Sequence, residues 1–370
     1  MIGTPQSHNN RLWKGEMDMV RKFFFTLAGA LAVVLASSAW AGIRYSVVDL
    51  GAAAAIAEMT GAIRINSSGE VVVTGDAHGY VWRNGVLTDI GNLGGTRSSA
   101  YGINDKGQVV GLSYPVQYNR AQLIRWENGT LSNLGNRGYW AVGMSINEAG
   151  QIVGYDQPDY MGNNDHAFLW QNKTWKDLGT LGTSAQAWAI NNHGQVVGNS
   201  RSSQNGNMYR AFLWENDVMT NLGALGGLDS FANDINDRGQ IAGRAGHHAC
   251  IWESGTGRDL GDLGNGYSRA YGINGLGQVV GRSGYTMNGA MAFIWWDGVM
   301  LDLNSFIDPT TGWELREARD INDSGQIVGV GQLNGQFRSF LLNPVPEPSG
   351  VCSLICGLAA IAWVLRRKAA

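Results

Sequence analysis

The feature that most constrains the fold is a short motif that recurs seven times between Tyr45 and Asn343. Each copy contains Ile-Asn, a Gly three residues after the Asn, and then a variant of Gln-Val-Val-Gly. The asparagines are Asn66, Asn104, Asn147, Asn191, Asn236, Asn274 and Asn322. Two further landmarks keep the same phase: a Trp that ends an apolar run in six copies, and an Asp/Asn-Leu-Gly element. A period of about 43 residues indicates a repeat architecture rather than several unrelated domains.

One copy of the motif predicts four strands. Ile-Asn-x-x-Gly-Gln-Val-Val-Gly is typical of two strands joined by a tight turn, because Asn accepts a local backbone hydrogen bond and Gly supplies positive φ. The aromatic and branched run His166 to Trp170 predicts a third strand. A turn such as Glu127-Asn128-Gly129 then leads to a fourth strand that ends in Asp-Leu-Gly. Four strands per unit predict the blade of a β-propeller.

The phase of the repeat predicts how the ring closes. The chain enters the repeat at Tyr45 to Gly51, which has the fourth-strand motif, and leaves it on a third strand at Phe337 to Leu342. The N-terminal strand can therefore complete the last blade, and closure removes an exposed sheet edge. An open β-solenoid is the alternative, but it would not need its missing strand returned from the other end. We therefore predict an all-β, seven-bladed β-propeller of four-stranded blades over residues 42–344.

The repeat resembles the HAF repeat family of extracellular proteins. The His-Ala-Phe triplet for which that family is named is present as His166-Ala167-Phe168, and it is degraded to Arg210-Ala211-Phe212 and to His248-Ala249-Cys250. The Gly-Gln-Val-Val-Gly piece and the piece Asp-Leu-Gly-x-Leu-Gly-Gly, seen at residues 89–95, also match. The resemblance covers nearly all of residues 45–343. It implies an extracellular location and carries no established activity.

The N-terminus has the composition of a secretory signal peptide. Arg21 and Lys22 precede an apolar run, and small residues with an Ala-x-Ala site at Ala39 and Ala41 follow it. We predict that residues 19–41 are removed by signal peptidase after Ala41; a buried core helix is the alternative. The polar residues 1–18 do not fit in front of such a signal, so we predict that they are an extension and that translation begins at Met19.

The C-terminus, residues 345–370, has the composition of a sorting signal. Pro346-Glu347-Pro348 precedes an uncharged stretch, residues 349–365, which is followed by Arg366-Arg367-Lys368. A helix over this stretch would be just long enough to cross a bilayer, with the basic cluster on the cytoplasmic side. This arrangement resembles the PEP-CTERM signal of Gram-negative bacteria, which implies recognition of Pro346, Glu347 and Pro348 by an exosortase-type enzyme. A plain C-terminal anchor in the inner membrane is the alternative, and both place the repeats in an extracytoplasmic location.

Charge and cysteine content exclude several classes of protein. The net charge of −3 gives no basic surface for nucleic acid, so no nucleic-acid partner is predicted. Cys250 is the one cysteine between the terminal segments, which excludes a disulfide within the repeats. Cys352 and Cys356 lie in the C-terminal apolar stretch, where we interpret them as small apolar side chains.

The search for chemistry finds few candidates. His78, His166 and His248 occupy one repeat position but fall in separate blades, so we interpret them as polar residues of the third strands rather than ligands of one metal ion. Asp residues follow Ile-Asn in three copies, at Asp105, Asp237 and Asp323, and we interpret them as turn-stabilising residues rather than calcium ligands. The sequence has no nucleophile elbow, zinc-protease motif or phosphate-binding loop. We therefore predict no catalytic residue, no metal and no cofactor.

Departures from the repeat supply the remaining candidates. The longest is an insertion between the sixth and seventh copies, where Asp308, Trp313 and Glu314 come together as a candidate ligand face. Aromatic residues that lie off the repeat phase are further candidates for lining a face. They are Tyr139, Trp140, Trp188, Tyr267 and Trp313.

Two functional hypotheses follow from this pattern. The first is an exported, non-enzymatic binding or structural component of the cell envelope or biofilm matrix, with exopolysaccharide as a candidate partner. The second is a glycan-active lyase or hydrolase on a propeller scaffold. An enzyme would be expected to break the repeat with carboxylates or histidines clustered at one mouth of the ring, whereas the departures in this sequence are scattered.

Overall fold

In the part of the chain that the structure describes, twenty-eight strands form seven antiparallel sheets of four strands each. The computed structural model describes residues 44–52, 63–75, 77–116, 120–158, 164–202 and 208–345. Residues 19–41, the Ala39 and Ala41 cleavage site, the Pro346-Glu347-Pro348 motif and residues 349–365 lie outside this part of the chain. Within it, no helix is long and apolar enough to cross a membrane.

Each of blades one to six is built from four consecutive strands. Blades one to three contain β2 (Ile63–Ile65), β3 (Val71–Thr74), β4 (Gly79–Arg83) and β5 (Val86–Asp89); β6 (Gly94–Ile103), β7 (Val109–Pro115), β8 (Gln122–Glu127) and β9 (Thr130–Gly135); and β10 (Trp140–Ile146), β11 (Ile152–Gln157), β12 (His166–Gln171) and β13 (Thr174–Asp177). Blades four to six contain β14 (Gly182–Ile190), β15 (Val196–Ser202), β16 (Tyr209–Glu215) and β17 (Val218–Asn221); β18 (Ser230–Ile235), β19 (Ile241–Ala245), β20 (His248–Glu253) and β21 (Thr256–Gly261); and β22 (Ser268–Ile273), β23 (Val279–Ser283), β24 (Met291–Trp296) and β25 (Val299–Asp302).

The seventh blade is assembled from both ends of the repeat. It contains β26 (Trp313–Ile321), β27 (Ile327–Leu333), β28 (Gln336–Val345) and, paired to β28 as the outermost strand, β1 (Arg44–Ala52). Arg338 is paired with Asp49 at 2.6 Å across this seam. The predicted closure by the N-terminal strand is therefore confirmed, and the open solenoid is excluded. Short 3-10 helices at Met287–Gly289, Leu303–Phe306 and Pro309–Thr311 lie in the connections of blades six and seven.

The first strand of each blade lies nearest the axis. These seven strands contact one another around a ring, β2 touching β6 and β26, and so on through β10, β14, β18 and β22. Apolar side chains of neighbouring blades pack between the sheets. The landmark Trp residues of the third strands belong to this packing: Trp126, Trp170, Trp214, Trp252 and Trp295 are all buried. The prediction that the in-phase tryptophans are packing residues is confirmed for these five.

The turns have the chemistry that the sequence predicts. Between the third and fourth strands, residues such as Asn84 and Asn128 adopt positive φ, and so do the glycines that follow them. Two consecutive residues with positive φ form the hairpin turn whose twist matches that of the strands it joins. In the Ile-Asn turns, the glycine three residues after the Asn has a φ between +71° and +83°.

The repeated asparagines form a closed belt of hydrogen bonds that passes through all seven blades. Each side-chain Nδ2 donates to the backbone carbonyl of the corresponding Asn in the next blade, at 2.9 to 3.1 Å, and Asn322 returns the chain of bonds to Asn66. Within its own turn, each Oδ1 accepts the backbone N–H four residues on. The turn bond was predicted; the bond between blades was not.

Candidate functional site

A β-bulge in each of the first strands β6, β10, β14, β18, β22 and β26 aims one side chain at the axis. In these strands the pairing skips the residue three before the repeated Asn. A bulge leaves the extra residue unpaired and re-aims its side chain. The skipped residues are Tyr101, Met144, Trp188, Asn233, Tyr271 and Arg319, and all six line one cavity.

The last glycine of the repeated motif makes this bulge possible. Gly198 pairs with Ala187, the residue before the bulged Trp188. A Cβ on Gly198 would lie 2.0 Å from the carbonyl oxygen of Gln186, so no other residue fits there without moving the strands apart. The other bulged blades repeat this close approach. The repeated glycine therefore fixes the backbone around the cavity, while the identity of the bulged residue can vary from blade to blade.

The cavity lies on the axis and takes side chains from all seven blades. Its volume is about 330 Å³, which is in the range of ~300–1,000 Å³ typical of small-molecule sites. Its wall carries amides from Gln186, Asn199 and Asn233, aromatic rings, and guanidinium groups from Arg64, Arg269 and Arg319. The arrangement can offer flat apolar faces, hydrogen-bonding groups and positive charge to one ligand.

Trp188 in blade four lines the cavity, and two aromatic residues of blade three, Tyr155 and Trp140, pack in sequence behind it. The rings of Trp140 and Tyr155 are 5.3 Å apart between centroids, and those of Tyr155 and Trp188 are 5.8 Å apart. The indole Nε1 of Trp188 donates to Asn199 Oδ1, which fixes the indole plane. Burial raises the pKa of Tyr155, so its hydroxyl stays protonated.

In blades four to seven guanidinium groups alternate with aromatic rings, and of these arginines Arg269 and Arg319 line the cavity. The guanidinium carbon of Arg269 lies 5.6 Å from the ring of Phe231 and 5.1 Å from that of Tyr271. Such cation–π contacts hold a planar cation by its face. The same contact recurs for Arg201 on Tyr209 at 5.2 Å, Arg244 on Phe231 at 4.7 Å, Arg282 on Tyr267 at 5.9 Å and Arg319 on Tyr271 at 4.7 Å. We call these residues the arginine–aromatic ladder.

Part of this positive charge is neutralised within the ladder. Glu317 is fully buried and contacts Arg282 at 3.2 Å and also Arg319. In the part of the chain that the structure describes, no ion pair involves Arg201, Arg244 or Arg269. Arg269 Nη2 donates to Asn233 Oδ1 at 2.9 Å, while its Nε is buried without a hydrogen-bond partner. The ladder therefore carries excess positive charge in a protein whose net charge is negative.

Two carboxylates connect neighbouring first strands. Asp234 accepts the backbone N–H of Ile273 in the next blade at 2.9 Å, and Asp320 accepts that of Ile65 at 3.0 Å. Burial raises the pKa of Asp234 to about 7; Arg64 opposes the rise and the nearby Asp320 adds to it. The pKa of Asp320 is also raised by burial, again against the effect of Arg64.

The residues of the predicted ligand face do not share one surface. Asp308 caps the short helix Pro309–Thr311 by accepting the backbone N–H of Thr310. Trp313 is buried with its ring 6.1 Å from that of Phe340, and exposed Glu314 is paired with Arg316. Among the off-phase aromatics, Trp188 lines the cavity, Trp140 packs on Tyr155, Tyr267 stacks on Arg282, and Tyr139 lies under Arg120.

The histidines have a structural role on the third strands. His78 is 2.7 Å from Asp89 and His248 is 2.9 Å from Asp259, in each case the Asp of the Asp-Leu-Gly element, and Arg338 makes the same contact in blade seven. Among the described residues, no three His, Cys, Asp or Glu side chains come together as metal ligands. The calcium candidates instead accept backbone N–H groups of the preceding blade, as Asp105 does from Ser67 at 2.8 Å.

Sequence reasoning missed the arginines of the cavity. Arg64, Arg269 and Arg319 were not candidates, because nothing in a strand pattern shows which face of the first strand points at the axis. A usable signal was present for Arg319: in blades two to seven the residue three before the repeated Asn varies from Tyr to Met, Trp, Asn and Arg, while the residue that precedes it is always Ala or Gly. Arg64 and Arg269 occupy other repeat positions, two and five residues before the Asn. A variable position inside a strict repeat indicates a surface that the fold does not need.

Comparison with known proteins shows the fold alone. Neither a protein-family model nor a curated protein matches this sequence. Among solved structures, the β-propeller domain of the Trilobed protease from Pyrococcus furiosus matches with a TM-score of 0.52 at 9% identity, covering 81% of this chain and 94% of that one. A chain of the mitotic checkpoint complex matches with a TM-score of 0.52 at 11% identity, covering 80% and 94%.

An enzyme is among the structural neighbours. Acylaminoacyl peptidase from Pyrococcus horikoshii matches with a TM-score of 0.51 at 11% identity. The alignment covers 82% of this chain and 51% of the peptidase, so the chain spans about half the length of that protein. Identities this low support a shared propeller architecture and no shared activity.

Proposed function

We propose that this protein is an exported, non-enzymatic binding module of the cell envelope or extracellular matrix, and that its central cavity binds a glycan. The observation that carries the proposal is the composition of that cavity. Trp188 offers a flat apolar face, and Gln186, Asn199 and Asn233 offer amide donors and acceptors. Sugars need both, because their rings present apolar C–H faces and their hydroxyl groups need hydrogen-bond partners.

Binding without catalysis is favoured by the state of two carboxylates near the cavity. Glu317 is fully buried and held by two arginines. Asp320 accepts backbone N–H groups of Ile65 and Ile321. Carboxylates engaged in this way are poorly placed to exchange a proton with a substrate.

The proposed route to the envelope uses both ends of the chain. Signal peptidase would cleave after Ala41, and an exosortase-type enzyme would act at Pro346-Glu347-Pro348, with residues 349–365 in the inner membrane of a Gram-negative bacterium. Mass spectrometry of the protein from intact cells tests this route. A mature N-terminus at Gly42 and loss of the residues after the Pro-Glu-Pro motif are expected. A mature protein that retains residues 1–16 and 366–370 would contradict it.

A glycan array combined with a turnover screen tests the proposed activity on the purified full-length protein. Retention of a defined glycan without product is expected. Substitution of Trp188 by Ala should reduce retention at least tenfold, because it removes the flat face. Substitution of Trp296 by Ala, an aromatic at the outer rim with 38% of its surface exposed, is the matched control and should leave retention unchanged. Failure of every glycan to bind would refute the proposal.

The second candidate function, a glycan-active lyase or hydrolase, would require the carboxyl group of Asp234 to release the backbone N–H groups of Ile235 and Ile273 that it accepts. Its raised pKa is the observation that favours this candidate. A carboxyl group whose pKa is raised to about 7 can both donate and accept a proton at neutral pH. If turnover appears in the screen, Asp234→Ala should abolish it, whereas Asp177→Asn on the outermost strand of blade three should not. Turnover that survives Asp234→Ala would exclude this carboxyl group as the acid or base.

A further inference from the structure

The arginine–aromatic ladder offers unneutralised charge in a form suited to recognition. Stacking occupies the faces of a guanidinium group and leaves its edges, which carry the N–H donors, available for hydrogen bonds. Arg269 is held on both sides, by Phe231 and by Tyr271, and its position is fixed further by Asn233. An arginine restrained in this way loses little side-chain entropy when it binds an anion.

Isolated positive charge inside a cavity costs free energy unless an anion offsets it. Arg282 and Arg319 have that anion in Glu317. Arg269 lines the same cavity, and within the described residues no carboxylate lies within ion-pair distance of it. The positive charge of Arg269 is therefore not neutralised by a carboxylate of the described residues, and a negatively charged ligand can neutralise it.

The rest of the cavity restricts what kind of anion fits. In blade four the indole of Trp188, with Tyr155 packed against it, forms an apolar wall of the cavity. The carboxyl group of Asp165 does not line the cavity but accepts a hydrogen bond from Gln186 Nε2. Inorganic phosphate or sulfate would use the guanidinium groups and leave this wall and the amides unused. A ring that carries both hydroxyl groups and a negative substituent would use all three features.

We propose that the cavity binds an acidic saccharide, with the sugar ring against Trp188 and its carboxylate on the guanidinium group of Arg269. This inference rests on the proposed glycan binding and adds the charge class of the ligand. Arg64 and Arg319 also line the cavity, but Arg319 is paired with Glu317 and Arg64 interacts with the buried carboxyl groups of Asp234 and Asp320. Arg269 is therefore the guanidinium group of the lining to which we assign the ligand's carboxylate. A bidentate arginine–carboxylate contact gives both affinity and orientation.

Paired ligands separate this inference from the proposed function. Short oligomers of galacturonate, glucuronate and mannuronate are titrated into the full-length protein by calorimetry, each beside its uncharged methyl ester. At least one acid should bind at least tenfold more tightly than its ester, and its affinity should fall as salt is raised from about 50 to 500 mM. If no acid binds better than its ester, the acidic-saccharide inference is overturned; if neutral glycans still bind, the proposed function stands.

Variants locate the contact. Arg269→Gln should reduce affinity for the acid at least tenfold and leave affinity for the ester nearly unchanged, because it removes charge and keeps hydrogen-bonding capacity. Arg258→Gln is the matched control: Arg258 also stacks on a ring, that of Trp295 at 5.1 Å, but it lies outside the cavity. Equal loss with both ligands would show a packing role for Arg269 and overturn the assignment. Displacement of the acid by an equal concentration of sulfate would overturn the saccharide part.

Discussion

At the scale of single residues, the repeated Asn performs two tasks and explains why no other residue replaces it. Ser or Asp could accept the backbone hydrogen bond that closes the turn. Asp cannot donate, and Ser has a single hydroxyl oxygen for both tasks. The amide of Asn accepts with Oδ1 in its own turn and donates with Nδ2 to the carbonyl of the next blade. The occurrence of Asn in all seven copies was therefore a readable signal for contact between blades, whereas the turn alone would have allowed variation.

The belt predicts a stability cost for a single substitution. Asn147 is 4% exposed, and its Nδ2 donates to the carbonyl of Asn191 at 3.0 Å. Asn147→Asp keeps the acceptor of the turn but removes this donor and places a carboxylate against the carbonyl of Asn191, which retains only its bond from Gly194 N–H. The free energy of unfolding should therefore fall by about 1–3 kcal/mol. Chemical denaturation of the parent protein and the variant measures this difference in unfolding free energy. Asn133→Asp is the control, since exposed Asn133 accepts only a local N–H, from Gly135, and the change should cost less than ~0.5 kcal/mol.

Asp234 predicts a pH dependence of stability. Its folded pKa of about 7 lies above its ordinary value of 3.8, so the folded state holds a proton that the unfolded state releases between these pH values. Stability from this group is therefore complete below about pH 4 and is lost as pH rises towards 7. Asp234→Ala should reduce the difference in unfolding free energy between pH 5 and pH 8 by on the order of 1 kcal/mol. Ala occupies the equivalent position, Ala189, in blade four.

The control for that prediction is an exposed carboxylate. Asp297→Asn, in the exposed turn between β24 and β25, should leave the difference in unfolding free energy between pH 5 and pH 8 as it is in the parent protein. The pKa of Asp320 is also raised by burial. We attribute to Asp320 any pH dependence of the unfolding free energy that remains in the Asp234→Ala variant. A pH profile of Asp234→Ala that overlays the parent profile would show that Asp234 titrates normally.

At the scale of elements, the sequence predicted strands and turns well, and bulges poorly. Local residue chemistry predicts the number of strands, the positive-φ turns and the fourth-strand motif at the N-terminus. Each copy of the repeat provides this information independently. The bulge before Ile-Asn depends instead on how closely two strands approach at Gly198 or its equivalents. A glycine within a strand suggests that another backbone approaches it closely. The residue that approaches it depends on the register of the two strands, which cannot be read from the sequence. The cavity was missed for this reason.

The seam strand β1 carries an element-scale prediction. Deletion of Tyr45 to Gly51 exposes the edge of β28, removes the pairing of Asp49 with Arg338 and uncovers buried Tyr45 and Leu50. We expect a fall in the thermal midpoint of at least about 5 °C, together with concentration-dependent aggregation through the open edge. Deletion of β5 in blade one, whose four residues are all exposed, is the comparison. An equal or smaller loss for the β1 deletion would contradict closure at this seam.

At the scale of the whole molecule, the ring is held by one strand that crosses from the start of the chain to its last blade. Blades one and seven otherwise meet through side-chain packing and three hydrogen bonds. Asn322 donates to the carbonyl of Asn66 at 3.0 Å, Ile65 N–H donates to Asp320, and Arg64 donates to the carbonyl of Arg319. Opening the ring between these blades in the native chain therefore also requires β1 to separate from β28. The contact between blades one and seven therefore differs from the contacts between the other neighbouring blades. The difference arises from the point at which the chain enters the repeat, and not from the sequence of any single copy.

Circular permutation isolates this contribution. Ser46 lies against Asn343 while Asp49 lies against Arg338, so Val345 and Arg44 are close enough to be joined by an Asn-Gly turn. A permutant that runs from Ile63 through this turn to Ala52 has every strand of the native protein but no strand shared across the seam. We expect it to fold and to unfold at least tenfold faster, a difference of about 1.4 kcal/mol in the unfolding barrier.

A second permutant with the same new turn supplies the control for that measurement. It begins at Val86, ends at Arg83, and so returns β5 to blade one from the opposite end of the chain, which restores a shared strand at a different blade. Its unfolding rate should match that of the native chain, since the ring is again tied by one complete strand. If both permutants unfold at the native rate, side-chain packing and the asparagine belt close the ring without help, and the seam strand serves only to cover the edge of β28.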